Sequence, residues 1–98
     1  KKTKAYDEIN LLVQAFPDSA SAYAVRAGME KDRQMNYLAV YDYNEAILRD
    51  PTNTDYILNR ADLLLTLGNK EEARRDLELL VRLGIPRASL VDYYKRLK

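Results

Sequence analysis

Apolar residues recur along the chain at the spacing of amphipathic helices. In the first segment Tyr6, Ile9, Leu12 and Val13 recur at i, i+3 and i+4 spacing, which is typical of one face of a helix. Similar spacing returns in five further segments, and none of them shows the sustained alternation of apolar and polar residues that a strand has. The pattern therefore predicts an all-α fold of about six helices. The predicted segments are 1–16, 20–32, 38–48, 54–67, 70–83 and 89–97.

Prolines and a glycine mark the breaks between these segments. Pro17 and Pro51 each lack the backbone N–H that a continuing helix needs, and each biases the preceding residue away from the helical conformation. Gly68 is a favourable helix end, because glycine adopts the left-handed conformation at little cost. Asp18 and Asn53 are predicted to cap the helices that follow them. The chain around Gly68 is therefore predicted to be a tight helical hairpin.

The strongest signal is a repeat with a period of 34 residues. Pro17 and Pro51 are separated by this step, and so are three sets of small or apolar residues. These sets are Ala5, Ala39 and Ala73; Ile9, Tyr43 and Leu77; and Leu12, Ala46 and Leu80. Repetition of a two-helix unit at a fixed period is typical of a solenoid, in which successive hairpins stack. It divides the single domain 1–98 into a half repeat (1–17), two full repeats (20–53 and 54–87) and a C-terminal segment (88–98).

At these positions the chain resembles the tetratricopeptide repeat family. The family pattern has an aromatic residue, a small-residue step, Ala-x3-Phe and then Pro. The first full repeat offers Tyr23, Ala27, Ala39, Tyr43 and Pro51, and the second offers Ile57, Ala61, Leu64, Gly68, Ala73 and Leu77. The resemblance covers essentially the whole chain. It implies an α-α superhelix, a right-handed solenoid of helical hairpins, in which the recurring alanines let paired helices approach closely.

The chain departs from the family pattern at three positions. Glu30 stands where the family has an aromatic residue. Gln34 replaces the turn glycine, so we expect a longer or looser turn there than at Gly68. Pro86 comes one residue late. The C-terminal segment after it is either a capping helix or the start of a third repeat.

A repeated charged pair predicts contacts between helices. Arg26 and Asp42 are 16 residues apart, as are Arg60 and Asp76. In a helical hairpin this spacing can place the two members of each pair on facing helices, which predicts two ion pairs. The alternative is that all four side chains are solvated and that each pair contributes about 0–1 kcal/mol.

The composition gives little support to catalysis. The chain has no histidine and no cysteine, which removes the usual general base, the commonest zinc ligand and all thiolate chemistry. The carboxylates occupy predicted solvent-facing positions, and neither a glycine-rich phosphate loop nor a calcium loop occurs. We therefore predict no enzymatic activity, no metal and no cofactor.

The charge and the apolar pattern also limit the class of partner. A net charge of +1 gives no general attraction for nucleic acid or anionic lipid, and no stretch approaches the roughly 20 apolar residues that cross a bilayer. Neither nucleic acid nor insertion into a membrane is therefore expected, and the resemblance implies a protein or peptide partner. Eight tyrosines are many for this length, and tyrosine is enriched at protein interfaces. Tyr37 and Tyr41 lie on one helix, where they either fill gaps between helices or, for Tyr41 in particular, are exposed.

In the family that the chain resembles, the first helix of each pair lines a concave groove. Here that groove would be mixed, with an acidic strip of Asp55, Asp62 and Asp92 beside the apolar Leu58 and Leu65. The candidate groove residues are Ser21, Lys31, Asp55, Leu58, Asn59, Asp62, Leu65, Asp92 and Arg96. Such a groove suits an extended or helical segment with basic and apolar residues. The alternative is that a groove of this length is too short to bind a partner alone.

One subgroup of the family grips a chaperone's C-terminal carboxylate with a lysine, an arginine and two asparagines. Asn59 matches one of the asparagines, but Ala24 and Gly28 replace the lysine and the other asparagine. The carboxylate grip is therefore not expected in this chain.

The resemblance implies a non-catalytic scaffold for protein–protein interaction. The alternative is a structural role, in which the segment extends a longer array or assembles with copies of itself. The half repeat motivates this alternative, because its helix has no first helix to pack against and is expected to expose apolar surface. A homo-oligomer would then form through the N-terminal half repeat.

Overall fold

The computed structural model describes residues 2–98, with side chains from residue 4 onward; Lys1, in the predicted half repeat, lies outside the described residues. The helices are α1 (Lys2–Ala15), α2 (Ala20–Asp32), α3 (Asn36–Arg49), α4 (Thr54–Thr66), α5 (Lys70–Arg82) and α6 (Val91–Lys95), with a 3-10 turn at Arg87–Leu90 before α6. Within residues 2–98 there is no strand. The all-α fold with six helices is confirmed.

The chain forms two compact units that meet in sequence after Pro51. Unit 1 contains α1 and the hairpin of α2 with α3, and unit 2 contains the hairpin of α4 with α5 followed by α6. The division falls near the predicted end of the first full repeat at residue 53. Each full repeat therefore supplies one helical hairpin, as its two apolar helices require.

Fully buried alanines lie in the cores of both hairpins. Ala27 and Ala39 in unit 1, and Ala61 and Ala73 in unit 2, have no exposed surface. Because an alanine side chain is a single methyl group, two helix backbones can approach closely at such positions. Leu77 fills the core of unit 2 and is fully buried. The recurring alanines are therefore buried, as their predicted packing role requires.

Three of the turns that follow helices share one geometry. Each turn contains one residue with a positive φ angle shortly after the end of a helix. These residues are Gln34 (60°), Gly68 (82°) and Gly84 (107°). The next residue donates its N–H to the carbonyl five positions earlier, at 2.8 Å for Met35 to Glu30, 2.8 Å for Asn69 to Leu64 and 3.0 Å for Ile85 to Leu80. This is the Schellman motif.

The expectation of a longer or looser turn at Gln34 is therefore wrong. The Gln34 N–H also donates to the carbonyl of Lys31 at 3.0 Å, and that of Gly68 donates equivalently to Leu65 at 3.1 Å. These hydrogen bonds hold Gln34 in the left-handed conformation, which costs a non-glycine residue about 1–2 kcal/mol. The turn keeps its length because the hairpin, rather than the turn residue, sets the separation of the helices.

The two predicted helix caps have different outcomes. The Tyr56 N–H donates to Asn53 Oδ1 at 3.2 Å, which confirms Asn53 as the cap of α4. At α2 the cap is Ser19, whose Oγ accepts the Ala22 N–H at 3.2 Å, so the prediction of Asp18 is wrong. The helix begins at Ala20, which places Ser19 at the capping position and Asp18 one residue too early.

The C-terminal segment is less helical than the pattern 89–97 predicts, because α6 has only 5 residues. The N–H groups of Arg96 and Leu97 donate to carbonyls three residues earlier, both at 3.1 Å. This is the hydrogen-bond pattern of a 3-10 turn, which is tighter than an α-helix. Leu90 and Leu97 are buried. The segment is therefore held by its two leucines, one on each side of α6.

Ala73→Leu is expected to lower the free energy of unfolding by about 1–3 kcal/mol, because the larger side chain overpacks a site without free volume. Urea denaturation monitored by circular dichroism measures the change. Glu78→Leu is the matched control, since it places the same side chain at an exposed position of the same helix; it should change stability by less than about 0.5 kcal/mol. Equal midpoints for Ala73→Leu and the unmodified protein would contradict the close-packing account.

Candidate functional site

The candidate groove residues of unit 2 lie mainly on the side of α4 that faces away from its core. Ile57 and Ala61 are fully buried in that core. Asp55 is exposed on the other side, and Leu58 and Asn59 are partly exposed. The Asn59 amide donates to the Asp55 carbonyl at 2.8 Å, so this amide is directed along its own helix. The face therefore offers a carboxylate, an apolar side chain and an amide within two helical turns.

The structure brings together Asp62 and Arg96, which the sequence places in the groove separately. Arg96 Nη1 lies 2.6 Å from Asp62 Oδ1, and Arg96 Nη2 donates to Thr66 Oγ1 at 3.2 Å. The pair joins the C-terminal segment to α4. Neither the role of Thr66 nor the pairing of Asp62 with Arg96 was predicted from the sequence.

Pairing with Arg96 changes the charge of the predicted acidic strip. The guanidinium offsets the carboxylate of Asp62, so the exposed carboxylates of the predicted strip are those of Asp55 and Asp92. Leu65 is buried and offers little surface to a ligand. The face is consequently less acidic and less apolar than the sequence pattern suggests.

Unit 1 carries the two remaining candidates on α2. Ser21 is exposed, and its hydroxyl lies 3.1 Å from the Ser19 hydroxyl. Lys31 is partly exposed near the end of the helix. Val25, on the same helix, is 49% exposed. This face is therefore small and weakly polar, with one basic side chain at its end.

Both predicted ion pairs between helices are present. Arg26 Nε and Nη2 each lie 2.7 Å from an Asp42 carboxylate oxygen. Arg60 binds Asp76 in the same forked manner, at 3.0 and 2.7 Å. The alternative of solvated side chains is wrong, since Asp42 is 1% and Asp76 4% exposed. Two parallel N–H···O bonds make this the strong form of an Arg–carboxylate pair.

A buried polar network extends the Arg26–Asp42 pair in unit 1. The Tyr6 hydroxyl donates to Glu30 Oε2 at 2.7 Å, and Arg26 Nη1 donates to Asn10 Oδ1 at 3.3 Å. These bonds join α1 to the hairpin of α2 and α3. The sequence marks Glu30 as a departure from the repeat, because Leu64 occupies the equivalent position, but it does not reveal the partners.

Burial raises the pKa of Glu30 from its ordinary value of 4.5 to about 7. The neighbouring Asp42 carboxyl group raises this pKa further, while the Tyr6 hydroxyl and the Arg26 charge oppose the shift. Glu30 is 2% exposed, and its Oε1 accepts no hydrogen bond. A proton on Glu30 therefore relieves the burial of a second negative charge beside Asp42.

The described side chains form no grouping typical of a metal centre. Among residues 4–98, no three acidic, histidine or cysteine side chains come together as a possible metal site.

An open cleft of about 340 Å³ is lined by Ala5, Met29, Asp32 and Arg33. The Arg33 guanidinium lies 4.9 Å from the centre of the Tyr6 ring.

Among the helices of the described residues, none has both the length and the apolar character needed to cross a membrane.

Two solved structures share this fold. Both are of the type III secretion chaperone SycD from Yersinia enterocolitica, one of them in complex with a peptide of the translocator YopD. Each aligns with a TM-score of 0.80 at 18% identity over 99% of the present chain; the alignment covers 74% of the peptide-bound SycD chain and 67% of the other. No protein-family model matches the chain, and no curated protein matches it.

The likeness to SycD confirms the helical-repeat solenoid fold that the period of 34 residues predicts. At 18% identity it concerns the fold alone. The residues of α4 and of the Glu30 network are therefore interpreted from their own geometry.

Proposed function

We propose that the chain is a non-catalytic, tetratricopeptide-type scaffold that binds a peptide or a partner protein. The observation that carries the proposal is the face of α4 on which Asp55, Leu58 and Asn59 are accessible, while the opposite side of the helix is buried in the core. The likeness to SycD, a chaperone solved with a bound peptide, supports the same class of function.

The chemistry of this face favours a peptide that places a basic residue beside an apolar one. Asp55 lies in the first turn of α4 and Asp92 is exposed before the chain end, so both attract cations, while Leu58 offers a partly exposed apolar contact. Asp62 and Arg96 form an ion pair at 2.6 Å, so together they add no net charge to this face. Charge complementarity of this kind mainly sets specificity and association rate.

The remaining candidates, Ser21 and Lys31 on α2, are proposed as the corresponding positions of the first repeat. They belong to unit 1 and carry no acidic group, so they offer a ligand a different chemistry from that of Asp55. We accordingly propose one tetratricopeptide-like domain over residues 1–98, with the repeats 20–53 and 54–87 each supplying one groove helix.

Selection from a displayed library of random 12-residue peptides tests the proposal, followed by fluorescence anisotropy with the enriched peptides. We expect enrichment of sequences with a basic residue next to an apolar one. Asp55→Lys should weaken their binding at least tenfold, since it reverses the charge that the peptide meets. Glu71→Lys is the matched control, because Glu71 is also exposed and lies in the first turn of a helix.

Failure of any peptide to enrich above an unrelated helical protein would count against the proposal. So would peptides that respond equally to Asp55→Lys and Glu71→Lys, because their binding would then reflect the overall charge rather than the face of α4.

A structural role is the second candidate function, favoured by the exposed apolar surface of α1. Leu11 is 65%, Leu12 48% and Phe16 59% exposed, whereas Ala46 and Leu80, the repeat equivalents of Leu12, are buried. We infer that this surface would join the segment to a further repeat or to another copy. Light scattering over a concentration series distinguishes the two functions, since a strict monomer contradicts assembly through α1 and leaves peptide binding intact.

A further inference from the structure

A row of exposed, largely apolar side chains runs along α3. Tyr37, Tyr41 and Leu48 are 73%, 58% and 74% exposed, and Asn44 lies between the last two in the same row. Successive members are separated by four, three and four residues, which is the spacing of a helix seam that packs against another helix. We call these four residues the α3 row.

The repeat pattern does not require apolar side chains at the positions of the α3 row. The equivalent positions on α5 are exposed and charged, namely Glu71, Arg75, Glu78 and Arg82. The core of α3 is already supplied by other residues of the helix, such as Ala39, Tyr43 and Ala46. Exposed apolar side chains arranged as a continuous patch mark an interaction surface more often than solitary ones do.

We propose that the α3 row is the contact surface for a second copy of this chain, with the two α3 helices antiparallel about a two-fold axis. In this arrangement Tyr37 of one copy lies opposite Leu48 of the other, and Tyr41 lies opposite Asn44. Each tyrosine ring thus meets a smaller side chain, which makes the row sterically complementary to itself. Two-fold pairing through one shared surface is the commonest form of homo-oligomer.

The charges beside the α3 row also favour a second copy over a partner chosen by charge. Glu45 at its edge is bound by Arg49, with Nη1 2.9 Å from Oε1. Arg49 Nε further donates to the Pro17 carbonyl at 2.8 Å, and its guanidinium lies 4.4 Å from the centre of the Tyr23 ring. Both edge charges are therefore engaged within their own chain, so two copies meet without opposing like charges.

The size of the surface predicts a weak dimer. α3 has 14 residues and is about 21 Å long, so one face of it buries less than the roughly 800 Å² per partner of a standard stable interface. The dissociation constant is expected between about 10 and 500 μM. The equivalent row of α5 is charged and favours hydration, so it is not expected to form a contact of this kind.

Sedimentation velocity between about 5 μM and 1 mM tests the dimer. Tyr41→Glu should lower the association constant at least tenfold, because two like charges then lie near the two-fold axis. Arg75→Glu at the equivalent position of α5, and Leu12→Glu on the exposed side of α1, should leave it unchanged. Circular dichroism melting curves establish that each variant is folded.

Disulfide formation tests the antiparallel register, because the chain contains no cysteine of its own. A mixture of Tyr37→Cys and Leu48→Cys chains should give a mixed disulfide under mild oxidation. Either variant alone should not, since identical positions would lie about 16 Å apart along the pair, beyond the roughly 7 Å limit between the Cα atoms of a disulfide.

Three results would overturn the proposal. One is a strict monomer at 1 mM that forms no mixed disulfide, and another is association that Leu12→Glu abolishes and Tyr41→Glu preserves, which would assign it to α1. The third is a monomer whose α3 row binds a helical peptide with leucines at the same four-three-four spacing, because the occupant would then be a helix of another protein.

Discussion

Asp42→Ala is expected to lower the free energy of unfolding by about 3 kcal/mol. The substitution removes both 2.7 Å bonds to Arg26 and leaves a guanidinium whose side chain is only 19% exposed. Breaking a buried pair by removing one partner typically costs about 3–5 kcal/mol, because the remaining charge stays buried. The lower end applies here, since Glu30 lies 4.0 Å from Arg26 Nε and becomes the replacement anion.

Two comparisons make the Asp42 measurement specific. Arg26→Met combined with Asp42→Leu removes both charges and should recover most of the lost stability, because apolar residues of similar volume often replace a buried pair at little cost. Glu71→Ala breaks an exposed contact with Arg74, at 3.7 Å, and should cost less than about 1 kcal/mol. If urea denaturation gives the same loss for Asp42→Ala and Glu71→Ala, the pair is not a main stabilising element of unit 1.

Glu30 is expected to make the protein lose stability as the pH rises from about 4.5 to about 7. The pKa of this carboxyl is raised to about 7 in the folded protein, against an ordinary value of 4.5. Between these values the folded chain keeps a proton that the unfolded chain has released, so rising pH favours unfolding. The penalty is absent below the lower value, is complete above the upper one and amounts to about 3 kcal/mol.

Glu30→Gln isolates this contribution, because the amide does not titrate and its oxygen still accepts the bond from the Tyr6 hydroxyl. The free energy of unfolding should be measured by urea denaturation from pH 4 to pH 8 for both proteins. We expect the difference in favour of Glu30→Gln to grow with pH and to level off near pH 8. Since other carboxyl groups titrate equally in both proteins, parallel profiles would mean that Glu30 has no raised pKa in the fold.

Local and repeated features of the fold were predictable from residue order. The helix α2 begins and ends where the sequence pattern predicts, and the turn at Gly68 has the expected positive φ. The Arg26–Asp42 and Arg60–Asp76 pairs were predictable because each spans one hairpin and both recur at the same spacing. A feature that occurs twice in equivalent positions is constrained by the same packing in both.

Contacts made once in the chain were not predictable in this way. Glu30 stands at an apolar position of the repeat, but its bond to Tyr6 at 2.7 Å links helices that are 24 residues apart. The pairing of Asp62 with Arg96 depends on where the short C-terminal segment folds. The burial of Leu65 depends on which side chains pack against it. Ser19 caps α2 instead of Asp18 because the helix begins at Ala20, so Ser19 is the residue that directly precedes it.

The sequence by itself determined the helical class, the period of the repeat and the two ion pairs within the hairpins, because helical spacing and the 34-residue step restrict which side chains can face each other. Only the tertiary structure decided the protonation of Glu30, the neutralisation of Asp62 and the exposure of the α3 row. These properties depend on which groups from distant parts of the chain exclude water from one another, and burial of that kind is not encoded in the spacing of any single segment.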